Sequence, residues 1–78
     1  MKYIVFLDGS AIIFSRTSSH KWMAGDKIVR SAGFCNIETY RTQYDDIRAK
    51  VQVYGKSDTL GVESNPADAR ILEEMFIQ

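Results

Sequence analysis

The chain reads as an α+β domain: a small antiparallel sheet of four to five strands, with one C-terminal helix packed on one face and a short helical turn near residues 18–24. Three observations predict it. Short runs of β-branched and aromatic residues recur between Lys2 and Tyr54, as half-buried strands require. Asp8-Gly9 separates the first two runs, the strongest short-range hairpin signal in the chain. Ser64-Asn65-Pro66-Ala67-Asp68 then opens the clearest helix.

Lys2–Leu7 and Ala11–Ser15 are the first two strands. Both faces are apolar, which implies a central position or cover on both sides. Between Arg16 and Asp26, Ser18 or Ser19 caps one or two helical turns that Gly25 ends. Ile28–Glu38 returns to strand, with Val29, Ser31, Gly33, Cys35 and Ile37 on one face and Ile28, Arg30, Ala32 and Phe34 on the other. Gly33 inside that run marks a bulge or a close backbone approach.

Residues 39–46 extend this strand into an exposed turn centred near Tyr44-Asp45-Asp46. Arg48–Tyr54 alternates Ala49, Val51 and Val53 against Arg48, Lys50, Gln52 and Tyr54, the pattern of a half-buried strand. Gly55-Lys56-Ser57-Asp58 supplies a turn before a short strand over Thr59–Val62. In the helix, Asn65 is the N-cap, Pro66 fits the first position and Asp68 complements the dipole. Ile71, Leu72, Met75 and Phe76 face the sheet, and Arg70, Glu73 and Glu74 face away.

The chain of 78 residues carries ten Lys+Arg and ten Asp+Glu. A chain of this size buries roughly 60 to 65% of its unfolded surface, enough for one core and one domain. A single Cys excludes an internal disulfide, and no Cys/His cluster suits structural zinc. The longest apolar runs, Tyr3–Leu7 and Ala11–Phe14, fall far short of a membrane span. The unpaired Cys35 and the lack of a signal peptide point to the cytoplasm. Neutrality conceals an asymmetry: residues 1–39 hold five basic and three acidic side chains, residues 40–78 five and seven. That imbalance is too small to forecast a polyanionic partner.

No catalytic, cofactor-binding or metal-ligating set emerges from the sequence. Asp8 after an apolar strand invites comparison with the nucleophile of haloacid-dehalogenase-like phosphatases and the first carboxylate of PIN-type nucleases. Both need parallel sheets with crossover helices, which 78 residues with one long helix cannot supply. Asp8 therefore belongs to a hairpin turn. Gly55-Lys56-Ser57 matches the end of a phosphate-binding loop, but Lys50 stands where that loop requires Gly. Asp45 and Asp46, being adjacent, point apart in extended chain. His20 reads as a surface or capping residue, and Cys35 as a small buried hydrophobe.

Arg16, Lys21, Lys27 and Arg30 surround Trp22, a composition that can grip single-stranded nucleic acid. The competing reading folds Trp22 and Met23 over the sheet as a lid, because Trp is usually buried, and this is the reading preferred.

Tyr3-Ile4-Val5-Phe6, Ser19-His20, Met23-Ala24, Ser31-Ala32-Gly33-Phe34, Val53-Tyr54-Gly55-Lys56-Ser57, Leu60-Gly61 and Asn65-Pro66-Ala67-Asp68-Ala69 together carry a further signal. In these segments the chain resembles short uncharacterised proteins encoded by tailed bacteriophages and prophages. The resemblance implies an accessory protein of the host-cell cytoplasm and carries over no activity, cofactor or catalytic residue. The resulting expectation is a non-enzymatic protein-interaction module for a host or phage protein. Its candidate contacts are Trp22, Tyr40, Tyr44 and Tyr54, and its strand edges suit a homodimer. The alternatives are a weak single-stranded nucleic-acid binder through Arg16, Lys21, Trp22, Lys27 and Arg30, and a small hydrolase around Asp8.

Overall fold

The computed structural model describes residues 1–77. In chain order these form β1 (Lys2–Phe6), β2 (Ala11–Phe14), α1 (His20–Ala24), β3 (Val29–Arg41), β4 (Ile47–Tyr54), β5 (Lys56–Ser57), β6 (Val62–Glu63) and α2 (Asp68–Glu74). The main sheet has the order β2-β1-β3-β4 and is antiparallel throughout, while β5 and β6 make a separate two-stranded sheet. β1 is thus internal, as its two apolar faces require. The predicted α+β architecture is the one formed.

Both faces of the sheet are covered, because successive residues of β1 serve different cores. Tyr3 and Val5 pack with Cys35, Ala49 and Val51 under Leu72 of α2. Ile4 and Phe6 pack with Phe14, Ala24 and Ala32 on the other side, where Met23, Leu60 and Val62 close the layer. Full burial of Leu72 stabilises the fold by roughly 1.5–3 kcal/mol relative to an exposed side chain, which is a large share of the stability of so small a domain.

The turns follow from local chemistry. Gly9 (φ 90°) closes the β1–β2 hairpin, with the Asp8 carboxylate accepting from the Ser10 amide at 2.9 Å and hydroxyl at 2.6 Å. Those two donors hold the Asp8 carboxyl below the usual carboxylate range. Ser19 caps α1 by accepting from the Trp22 amide at 3.0 Å, and Gly25 terminates it. Asn65 Oδ1 accepts from the Ala67 amide at 2.9 Å, and Asp68 Oδ2 reaches back to the Asn65 amide at 3.1 Å, a reciprocal capping arrangement.

Gly33 is a close approach. An added Cβ would lie 2.7 Å from the Tyr54 carbonyl oxygen and 3.0 Å from Ser64 Cβ, so only glycine lets the chain leaving β4 cross β3 there.

Several expectations need correction. The β1–β3 register shifts between Val5 and Phe6, placing a bulge at Arg30. The bulge reverses the alternation, so Val29 packs with Phe6 and Ala32 while Arg30 reaches the α2 face. Residues 58–61 form a turn, not a strand: Ser57 Oγ accepts from the Leu60 amide and Gly61 takes a φ of 69°. His20 is buried, not on the surface, and its Nε2–H donates to the Gly33 carbonyl at 2.8 Å between the edges of Phe14 and Phe34. α2 stops at Glu74, which leaves Met75 exposed. Glu73 turns inward to accept from the Val51 amide at 3.0 Å.

Candidate interaction surface

β3 is the long axis of the molecule. Thirteen residues at about 3.3 Å each account for most of the 41 Å extent, against 23 and 19 Å in the other directions. One end is built from the β1–β2 turn and the α1–β3 loop; the other is the β3–β4 turn. α2, seven residues long and thus about 10 Å, cannot cover such a sheet from end to end.

At the first end, apolar side chains are left in water. Leu7 and Ile28 continue β1 and β3 beyond the ladder, joined by a Leu7 N–H to Ile28 O bond of 2.9 Å. Leu7 is 62%, Ile28 68% and Trp22 80% exposed. A cleft of about 430 Å³ runs between Phe6, Leu7, Asp8, Asp26, Lys27 and Ile28. A second, of about 500 Å³, is lined by Trp22, Ser19, Lys21, Gly25 and Asp26, so the two meet at Asp26. The result is a set of exposed apolar side chains with a margin of mixed charge, Asp8 and Asp26 beside Lys21 and Lys27. Trp22 has the largest side chain and the least cover of them.

The lid reading of Trp22 is overturned. The α1 helix is anchored through the other side of its turn, by His20 and Ala24, both buried, and a five-residue helix that buries those positions directs Trp22 outward. Met23 does pack on the sheet, as expected.

The other candidate contacts are dispersed. Tyr40 and Tyr44 are exposed at the far end of β3, and Tyr54 stacks on Phe34 with ring centroids 5.8 Å apart. All four aromatics expected at a partner surface are accessible, yet only Trp22 belongs to the apolar end. The basic set is divided as well. Lys27 Nζ sits 4.9 Å above the Phe6 ring, whereas Arg30 passes to the opposite face of the sheet and lies 3.6 Å from Asp68. Arg16 and Lys21 remain exposed. Asp8 shares its cleft with Asp26; it is exposed, and the Ser10 donors hold its carboxyl low.

Leu7 and Ile28 were not candidates on sequence, since apolar residues at strand ends read as core. The usable signal was parity: Leu7 continues the Tyr3, Val5 row past the reach of a short helix.

The buried polar cluster lies elsewhere. Asp68 Oδ2 accepts from Tyr3 Oη at 2.6 Å and Ser31 Oγ at 2.6 Å as well as from the Asn65 amide. Tyr3 and Asp68 have no exposed surface, so the cluster fastens α2 to the sheet and offers no access to a substrate. Burial and the neighbouring carboxylate raise the Tyr3 hydroxyl far above the ordinary phenol range. Burial likewise pushes the Cys35 thiol up. Among the described residues no three His, Cys, Asp or Glu side chains converge as a metal would need, and no helix is long and apolar enough to cross a membrane.

Comparison of the chain with protein-family models, with curated proteins and with solved structures returns no match.

Proposed function

We propose that the protein is a non-enzymatic interaction module of phage type, acting in the host-cell cytoplasm, which binds a host or phage protein through Leu7, Trp22 and Ile28. The observation that carries this reading is the 80% exposure of Trp22, in a cleft that shares Asp26 with the one lined by the exposed Leu7 and Ile28. Trp is normally among the most buried residues, and contiguous apolar surface on a soluble domain marks an interaction site. Trp is also the residue most enriched among energetic anchors of interfaces. The margin carries both signs, with Asp8 and Asp26 beside Lys21 and Lys27, so recognition rests on an apolar anchor of the partner and not on its charge.

The test is recovery of partners from an infected host with the full chain and with Trp22→Ala, Ile28→Ser and Tyr44→Ala. The reading expects one partner to be lost with the first two variants and retained with the third. Retention of every partner by Trp22→Ala overturns it. Quenching of Trp22 fluorescence by single-stranded oligonucleotide, steeply weakened by salt, would instead assign this end to nucleic acid through Arg16 and Lys21.

A further inference from the structure

The second half of β3 has a strand on only one side. β1 pairs with β3 as far as Phe34, and Met1 exchanges both backbone bonds with Cys35. From Asn36 to Arg41 β3 is bonded to β4 alone, and among the described residues no strand occupies its other edge.

The phase of that edge is set twice over. Cys35 bonds toward β1, so in an alternating antiparallel ladder Ile37, Thr39 and Arg41 also aim their N–H and C=O groups toward the open side. Val51, the residue opposite Ile37, should then direct its amide away from β3. It does, donating to Glu73 of α2. The two edges differ here: a carboxylate caps the Val51 amide of β4, and among the described residues no side chain bonds the open backbone groups of Ile37, Thr39 and Arg41.

We propose that this edge pairs with the same edge of a second copy, antiparallel, about a two-fold axis through Thr39. A two-fold axis normal to the sheet keeps each side chain on its own face, so only residues of like parity can be opposed. Centring on Thr39 opposes Ile37 to the partner's Arg41 and Thr39 to the partner's Thr39, so that every outward group of the three residues finds a mate. On the other face Glu38 meets the partner's Tyr40. With the existing cross-strand pairs Glu38–Lys50 and Tyr40–Arg48, the row across four strands reads Lys50, Glu38, the partner's Tyr40, the partner's Arg48, with no like charges adjacent. Centring on Glu38 would set two carboxylates directly opposite, which is destabilising. In this register a second copy matches the hydrogen-bond phase of the open edge and sets no like charges side by side.

In this register the partner's Arg41 stands opposite Ile37, two positions along β3 from the Met1–Cys35 pair. The partner's β3–β4 turn, with the exposed Tyr44, comes to lie beside Met1, itself half exposed. The two Trp22 ends fall at opposite extremes of the dimer. This inference is independent of the reading of that end.

The experiment is sedimentation equilibrium of the full chain up to about 0.5 mM. It expects a concentration-dependent species of twice the 8.9 kDa chain mass. Thr39→Pro removes an amide that faces the open edge and leaves the β3–β4 ladder whole, so association should weaken at least about tenfold with the circular dichroism unchanged. If Thr39→Pro fails to fold, oxidation of Thr39→Cys decides. Its two thiols meet on the axis and should link about fivefold faster than those of Glu38→Cys, whose Cα atoms lie beyond disulfide reach. A monomer throughout, a dimer undisturbed by a folded Thr39→Pro, or equal linking of the two cysteine variants overturns the proposal.

Discussion

The Tyr3 hydroxyl donates to the Asp68 carboxylate at 2.6 Å, across 65 positions of sequence and with both groups sealed from solvent. It is the polar tie between the central strand and the C-terminal helix. Ser31 and the Asn65 amide share the same carboxylate oxygen, so the four groups depend on one another.

Removing Asp68 strands two buried hydroxyls, whereas removing the Tyr3 hydroxyl takes one donor from a carboxylate that keeps others. Asp68→Ala should therefore cost about 3–5 kcal/mol, and Tyr3→Phe about 1.5–3 kcal/mol. Urea melts of the two variants measure the difference. Equal losses would mean that the oxygen acceptor is not shared as the distances indicate.

Burial of the Tyr3 hydroxyl, together with its bond to Asp68, gives stability a dependence on alkaline pH. The unfolded chain releases the Tyr3 proton near the ordinary phenol value of 10.0, while the folded protein holds it well beyond. Between those values the native state binds more protons, so stability is complete below about pH 10 and falls as pH rises through the folded value. Cys35 acts in the same direction from its ordinary value of 9.0, but equally in both proteins. The stability gap between wild type and Tyr3→Phe should thus be constant from pH 7 to 9 and narrow by pH 11.

Gly33 is the least replaceable residue of β3. In Gly33→Ala the new methyl meets a backbone oxygen at 2.7 Å, and backbone cannot rotate aside as a side chain can. A loss of about 1–3 kcal/mol is expected. Thermal unfolding measures it, and His20 reports the cause, since its ring bonds to the Gly33 carbonyl and its NMR resonances should shift with the strand. A neutral substitution would mean that the chain beyond Tyr54 does not cross so closely.

Trp22 and Ile28 should behave in the opposite way. Both are exposed, so Trp22→Ala and Ile28→Ser should change stability by less than about 0.5 kcal/mol. If either melts substantially lower, that side chain is anchoring the fold and is not available to a partner.

The elements followed from local patterns. Strand alternation in residues 48–54, the Asp8-Gly9 turn and the Ser19 cap are all written in neighbouring residues and formed as expected, whereas α2 begins only at Asp68, after a turn at Pro66 and Ala67. Short-range rules suffice there because the forces are short-range: turn geometry, capping and a periodicity of two.

What the sequence alone determined about this protein was its class: α+β, an antiparallel sheet with a C-terminal helix. Tertiary structure decided where its chemistry points. A single bulge at Arg30 sends one member of a basic cluster through to the opposite face, His20 is drawn inward by a carbonyl 13 positions away, and Trp22 is turned outward because its neighbours on a five-residue helix took the inside. Those outcomes depend on register and on which face a short helix buries, and both are fixed by contacts between segments that composition and spacing do not reveal.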